Sequence, residues 1–220
     1  MKLKKTQIVA TALVAGAIAS NAATFALVNL VGGPGVDTLW ANADGTLMNG
    51  TGFATIGYFD IGVSTSDIDT IAELVALKSS FTAWQTATPG LSVAFAQPGF
   101  LAEDPTDSVQ ITGSNALIGR TLYAIASNAT DLASATVSNA FSLFEVTTIK
   151  DDNPFEQNYN ANPAGVTPII GELGLYNDSA DSFGLGAGNY TTLKLVGVPE
   201  PSAALLGAFG VLGLLRRRRI

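Results

Sequence analysis

The 220-residue chain predicts an all-β protein, an antiparallel β-sandwich or jelly-roll-like single domain with one short helix, framed by an N-terminal signal helix and a C-terminal transmembrane helix. Three observations carry that reading. Apolar and polar residues alternate through the middle of the chain between turn residues at short spacing. A single stretch shows helical periodicity. Each end carries an apolar run beside a cluster of basic residues.

Residues 1–22 have the three parts of a secretory signal: a basic start at Lys2, Lys4 and Lys5, an apolar stretch from Ile8 to Ala19, then small residues. Ser20, Asn21 and Ala22 suit the shallow pockets of a signal peptidase, which places cleavage after Ala22, with Ala23 as the neighbouring option. The domain then runs over 23–196. Its first strand is expected at Thr24–Asn29, and Asp37–Ala41 and Thr46–Met48 flank Asn42-Ala43-Asp44-Gly45, a hairpin because Asp-Gly tolerates positive φ. Phe53–Val63 reads as a long strand. Ser66, with Asp69 three residues on, predicts a capped helix over Asp67–Lys78, whose apolar positions are Ile68, Ile71 and Val75, with Leu74 and Phe81 also at helical spacing. Further strands are expected at Leu91–Ala96, Ser108–Thr112, Arg120–Ala126, Ala140–Thr147 and Thr191–Val196. In the last, Leu193 and Leu195 should face inward while Thr192 and Lys194 face water.

The remaining residues, 197–220, form the second terminal signal. Pro199 and Pro201 stop any helix from running back into the domain. An apolar helix follows at about 202–215, and Arg216, Arg217, Arg218 and Arg219 close the chain before Ile220. The thirteen apolar residues from Ala203 to Leu215 rise about 20 Å against a hydrocarbon core of about 30 Å, so Ser202 and snorkelling arginines must extend the span. The arginines belong on the cytoplasmic side, which puts the domain outside.

Pro199-Glu200-Pro201, a short Gly-, Ala- and Leu-rich helix and a terminal arginine cluster together resemble the PEP-CTERM sorting signal of exported proteins from Gram-negative, exopolysaccharide-producing bacteria. The resemblance covers about a tenth of the chain. It implies recognition of Pro199, Glu200 and Pro201 by a membrane-embedded exosortase, with processing beside them. Gly57-Tyr58-Phe59 and Leu122-Tyr123-Ala124-Ile125-Ala126 resemble, more weakly, recurring features of short proteins of that family, which implies a β-rich extracellular domain and no particular ligand.

Charge and composition narrow the partners. Between residues 23 and 198, 17 carboxylates face only Lys78, Arg120, Lys150 and Lys194, a net charge of −13 that would repel phosphate backbones. Nucleic acid is therefore not an expected partner. The chain has no Cys and no His, which removes disulfides, thiolate nucleophiles, imidazole bases and the usual zinc ligands.

Carboxylate chemistry is what remains for an enzyme, with Asp60, Glu103, Asp104, Glu145, Asp151, Asp152 and Glu156 as the material and nothing marking two as a pair. Calcium needs only oxygen ligands, and Asp151, Asp152 and Glu156 could place three together in a loop. Asn42–Gly45 echoes a calcium loop, but Trp40 stands where its first ligand should be, and turn chemistry is the simpler reading. Trp40, Trp84, Tyr58 and Tyr123 could stack sugars, although aromatics on strands more often pack.

The expected function is a non-enzymatic exported surface or exopolysaccharide-matrix protein without a cofactor. Its partners are signal peptidase and exosortase during export, the membrane through its C-terminal helix, and exopolysaccharide. It crosses the inner membrane, is anchored at first, and ends at the cell surface or in the matrix. The alternative is a carbohydrate-binding module; a secreted carboxylate-dependent glycoside hydrolase ranks third.

Overall fold

The computed structural model describes residues 23–26, 29, 33–35, 37–60, 62–91, 95–101, 109–111, 119–148, 158–160 and 167–197. Among these the protein is mostly β, with one short α-helix. In chain order the elements are β1 (Ala23–Ala26), β2 (Thr38–Ala41), β3 (Phe53–Phe59), α1 (Ile71–Leu77), β4 (Phe81–Ala87), β5 (Val109–Ile111), β6 (Thr121–Ser127), β7 (Phe141–Thr148), β8 (Asn158–Asn160), β9 (Glu172–Asp178) and β10 (Gly188–Lys194).

The strands form a fully antiparallel sheet in the order β4-β3-β6-β7 and two three-stranded sheets, β2-β10-β9 and β5-β1-β8. Two pairs are parallel, β10 with β2 and β1 with β8. Both join segments far apart in sequence, so no tight turn imposes the antiparallel direction.

The four-stranded sheet has apolar cover on both faces, because β3 and β6 carry apolar residues at consecutive positions. Ala54, Ile56, Ala124 and Ala126 point one way, with Phe144, and meet Trp40, Leu193 and Leu195 from the β2-β10-β9 side. Phe53, Phe59, Tyr123 and Ile125 point the other way and meet Ile68, Ile71 and Leu74. A buried Phe or Leu contributes about 1.5–3 kcal/mol, so each face carries a substantial share of the stability. A third cluster, Leu39, Phe100, Phe183 and Tyr190, covers the far side of β2 and β10, its rings meeting edge to face. The two larger sheets touch at β7: Phe141 and Val196 exchange two backbone hydrogen bonds of 2.8 Å, and the Leu143 carbonyl accepts from Ile169 and Ile170.

One buried side chain binds three segments together. Asn29 donates through Nδ2 to the Thr38 carbonyl at 2.7 Å and the Gly99 carbonyl at 2.9 Å, and its Oδ1 accepts from the Leu101 N–H at 2.7 Å. Its own N–H donates to the Leu101 carbonyl at 3.0 Å.

Several expectations shift. The helix begins four residues later than Asp67, because Thr70 and Glu73 make the reciprocal capping box in place of Ser66 and Asp69, which precede it. Ser66 lies in a short 3-10 turn, Thr65–Asp67. β4, β8 and β9 were not anticipated. No strand forms at Leu91 or over Phe95–Ala96, and residues 92–94 lie outside the described set. Leu193 and Leu195 are buried as expected, but so is Thr192, which sits beside Leu39 under the third cluster. The hairpin stands: Ala41 bridges Leu47, the Asn42 N–H donates to the Thr46 carbonyl at 2.7 Å, and Gly45 takes φ +86°.

Candidate functional site

Among the described residues, a surface feature that combines aromatic, cationic and carboxylate groups lies on the four-stranded sheet. β4 pairs with β3 in a register that matches Ala83 to Gly57 and Gln85 to Ile56, leaving Trp84 as the extra residue of a β-bulge on an edge strand. Bulges re-aim side chains. Here the indole reaches Tyr58 on β3, with ring centroids 5.2 Å apart at 60°. From the residue just before β6, Arg120 lays its guanidinium 4.7 Å from the Tyr58 ring centre, a cation–π contact. Trp84, Tyr58 and Arg120 thus form a half-buried ladder across β4, β3 and β6.

Arg120 also lines a shallow cleft of about 170 Å³, together with Phe59, Asp60, Val63, Thr65, Thr121 and Tyr123. The Tyr123 hydroxyl donates to Thr65 Oγ1 at 2.7 Å. The cleft is smaller than the usual ligand pocket of about 300–1,000 Å³. Among its described lining residues the carboxylate is Asp60, and that group is exposed.

The aromatics named from sequence therefore separate. Tyr58 and Trp84 come together at the surface, whereas Trp40 is fully buried against Phe144, with centroids 5.6 Å apart, and Tyr123 is 5% exposed. Neither of the last two can belong to a surface platform. The contribution of Arg120 was not read from sequence, where it was only the start of a strand; as the sole arginine between residues 23 and 198 it carried a usable signal.

Of the carboxylates, Asp60 and Glu145 are described and exposed, while Glu103, Asp104, Asp151, Asp152 and Glu156 lie outside the described residues, and with them the calcium candidates. Among the described residues no group of three or more metal-ligating side chains occurs. Asp44 is engaged within its own turn: Oδ1 accepts from the Thr46 hydroxyl at 2.7 Å and the Thr46 N–H at 2.9 Å, which holds its pKa below the usual value. Turn chemistry accounts for that residue. Ala23 begins β1; Ala22, the motif Pro199, Glu200 and Pro201, and Arg216, Arg217, Arg218 and Arg219 lie outside the described residues. Among those described, no helix is long and apolar enough to cross a membrane.

Near the third cluster, burial raises the Tyr190 pKa to about 12, with Asp178, Asp37 and Asp181 adding to the effect. Asp178 is buried too. Burial pushes its pKa up, but the Ser182 N–H at 2.9 Å and the Phe183 N–H at 3.2 Å outweigh that and leave it lowered. These bonds close the loop after β9 and make Asp178 structural.

No protein-family model, curated protein or solved structure matches the chain.

Proposed function

We propose that this is a non-enzymatic exported surface or exopolysaccharide-matrix protein, a PEP-CTERM-type chain whose β-sandwich body is exported by residues 1–22 and sorted by an exosortase through residues 197–220. The observation that carries the reading is the fixed order at the C-terminus: Pro199-Glu200-Pro201, an apolar run, then four arginines. One feature of the body supports it. β10 lies between β2 and β9, and Val196 bridges back to Phe141, so paired structure extends to within three residues of Pro199. A sorting tail requires such a boundary.

The Trp84–Tyr58–Arg120 ladder favours a second reading, a carbohydrate-binding module. Its rings meet at 60° and do not form a flat stacking surface, so the structural role ranks first.

Mass spectrometry of the C-terminal peptide from protein purified out of its own cells tests the proposal. An end between Pro199 and Ser202 supports sorting by processing. An intact end at Ile220 reduces the tail to a plain anchor and overturns the exosortase step.

A further inference from the structure

The export signal and the fold meet at one peptide bond. The expected cut after Ala22 falls immediately before β1, which begins at Ala23. β1 is the middle strand of its sheet: it pairs antiparallel with β5 (Ala23 with Ile111, Thr24 with Gln110, Phe25 with Val109) and parallel with β8 (Thr24 with Asn158, Phe25 with Tyr159, Ala26 with Asn160). β5 and β8 are three residues each and do not pair with one another. Strands that short are not stable alone, so both depend on β1.

From this we infer that removal of the signal peptide releases the strand that completes the β5-β1-β8 sheet, so the sheet closes only in the processed chain and the mature protein starts with Ala23. The inference rests on the export reading. A peptidase holds the residues on both sides of the scissile bond in extended form, as partners that add a strand do. Ala23 cannot occupy the peptidase cleft and the space between β5 and β8 at once. Cleavage therefore comes first.

Geometry enforces the same order. Only residues 20–22 separate the apolar run ending at Ala19 from β1, and three residues span at most about 10 Å. An uncut chain would have to build the sheet against the bilayer, within the reach of those three residues. Once cut, the strand has one place to go. Asn29 is fastened by its four hydrogen bonds three residues beyond Ala26, so the freed arm is too short to reach a second copy and folds back on its own body.

The test is hydrogen exchange on the full chain from its own cells, read at the amides of Val109–Ile111 and Asn158–Asn160. N-terminal sequencing establishes the cut. Ala22→Glu blocks cleavage at the −1 pocket, and the accumulated precursor should lose most protection at both segments, exchanging at least tenfold faster than mature protein, while β3 and β6 keep theirs. Equal protection in precursor and mature chain overturns the inference. Because this variant could stall before folding, Phe25→Pro serves as the second arm: it is cleaved normally but lacks an N–H within β1. It should unprotect β5 and β8 together, and retention of protection at either overturns the dependence on β1. A native chain that keeps residues 1–22 would refute the export reading itself, an outcome separate from both.

Discussion

Replacing Asn29 with Ala should cost about 4 kcal/mol. The side chain is fully buried and makes three hydrogen bonds of 2.7, 2.9 and 2.7 Å. The acceptors fare unequally once it is gone. The Gly99 carbonyl still accepts from the Trp40 N–H at 2.9 Å, so its loss is near the ordinary net value of about 1 kcal/mol, and the bond to the Thr38 carbonyl is worth a similar amount. The Leu101 N–H is left facing the vacated space, which adds about 1–3 kcal/mol for a buried unsatisfied donor. For a domain of this size the total lowers Tm by about 8–16 °C. Urea unfolding followed by far-ultraviolet circular dichroism measures it, with Asn42→Ala as control, because that exposed amide bonds only Thr46 Oγ1 at 3.1 Å and should cost under about 0.5 kcal/mol. Asn29→Asp adds a diagnostic. Its carboxylate would face two carbonyls, raising its folded pKa, so the deficit of this variant relative to the wild type should be smallest below about pH 4 and grow as pH rises. A loss under about 1 kcal/mol for Asn29→Ala, with an unchanged denaturant slope, would refute the view that this amide holds the three segments together.

Five further outcomes follow from the geometry. Gly57→Ala should destabilise by about 2–3 kcal/mol in the same assay, since a Cβ there would run into the Thr82 carbonyl oxygen and sit 2.9 Å from the Phe81 ring, and neither can retreat without parting β3 from β4. Lys78→Ala removes Nζ from the Ala133 and Ala135 carbonyls, at 2.6 and 2.5 Å, and should speed exchange or proteolysis over residues 128–140 while changing global stability by about 1 kcal/mol. Stability should fall as pH drops below about 4, because Asp44, Asp131 and Asp178 have lowered folded pKa values and their contribution, complete above the unfolded value, disappears as pH passes down through the folded ones. On the alkaline side it should fall between about pH 10 and about 12, where the unfolded tyrosine ionises before Tyr190 does; Tyr190→Phe flattens that limb. Trp84→Phe should remove the acrylamide-quenchable part of the fluorescence, leaving the shielded emission of Trp40, the only other tryptophan.

Legibility in the sequence tracked how far a residue's role was local. The hairpin at Asn42–Gly45 was readable because Asp-Gly and the Asp44–Thr46 bonds act within five residues. β6 is readable because Leu122–Ala126 is an unbroken apolar run that ends at a polar turn, and β7 because Phe141, Leu143, Phe144 and Val146 are spaced along it between polar residues. The apolar face of the helical stretch was found, yet its start was misplaced: Ser66/Asp69 and Thr70/Glu73 both fit the capping pattern, and only packing of Ile71 and Leu74 selects the second. β4 hid behind Phe81, which continued the helical spacing, and behind the extra residue of its bulge. β9 is an edge strand whose Leu173 and Leu175 are 50% and 76% exposed, the reverse of the alternation that marks a half-buried strand. The same limit applied to the surface ladder. Tyr58 and Trp84 lie on two strands and Arg120 just before a third, and no spacing along the chain announces that they meet.

The placement of β10 has a mechanical consequence. This strand is held by seven register pairs to β9 on one side and four to β2 on the other, and its end at Lys194 leads through Val196 towards the C-terminal tail. A pull applied to that tail along the strand axis loads both ladders in shear, so their hydrogen bonds share the force and must fail together. An edge strand peeled from its sheet would give way one bond at a time. With β10 in the middle, a load drawn along its axis is met by both ladders at once.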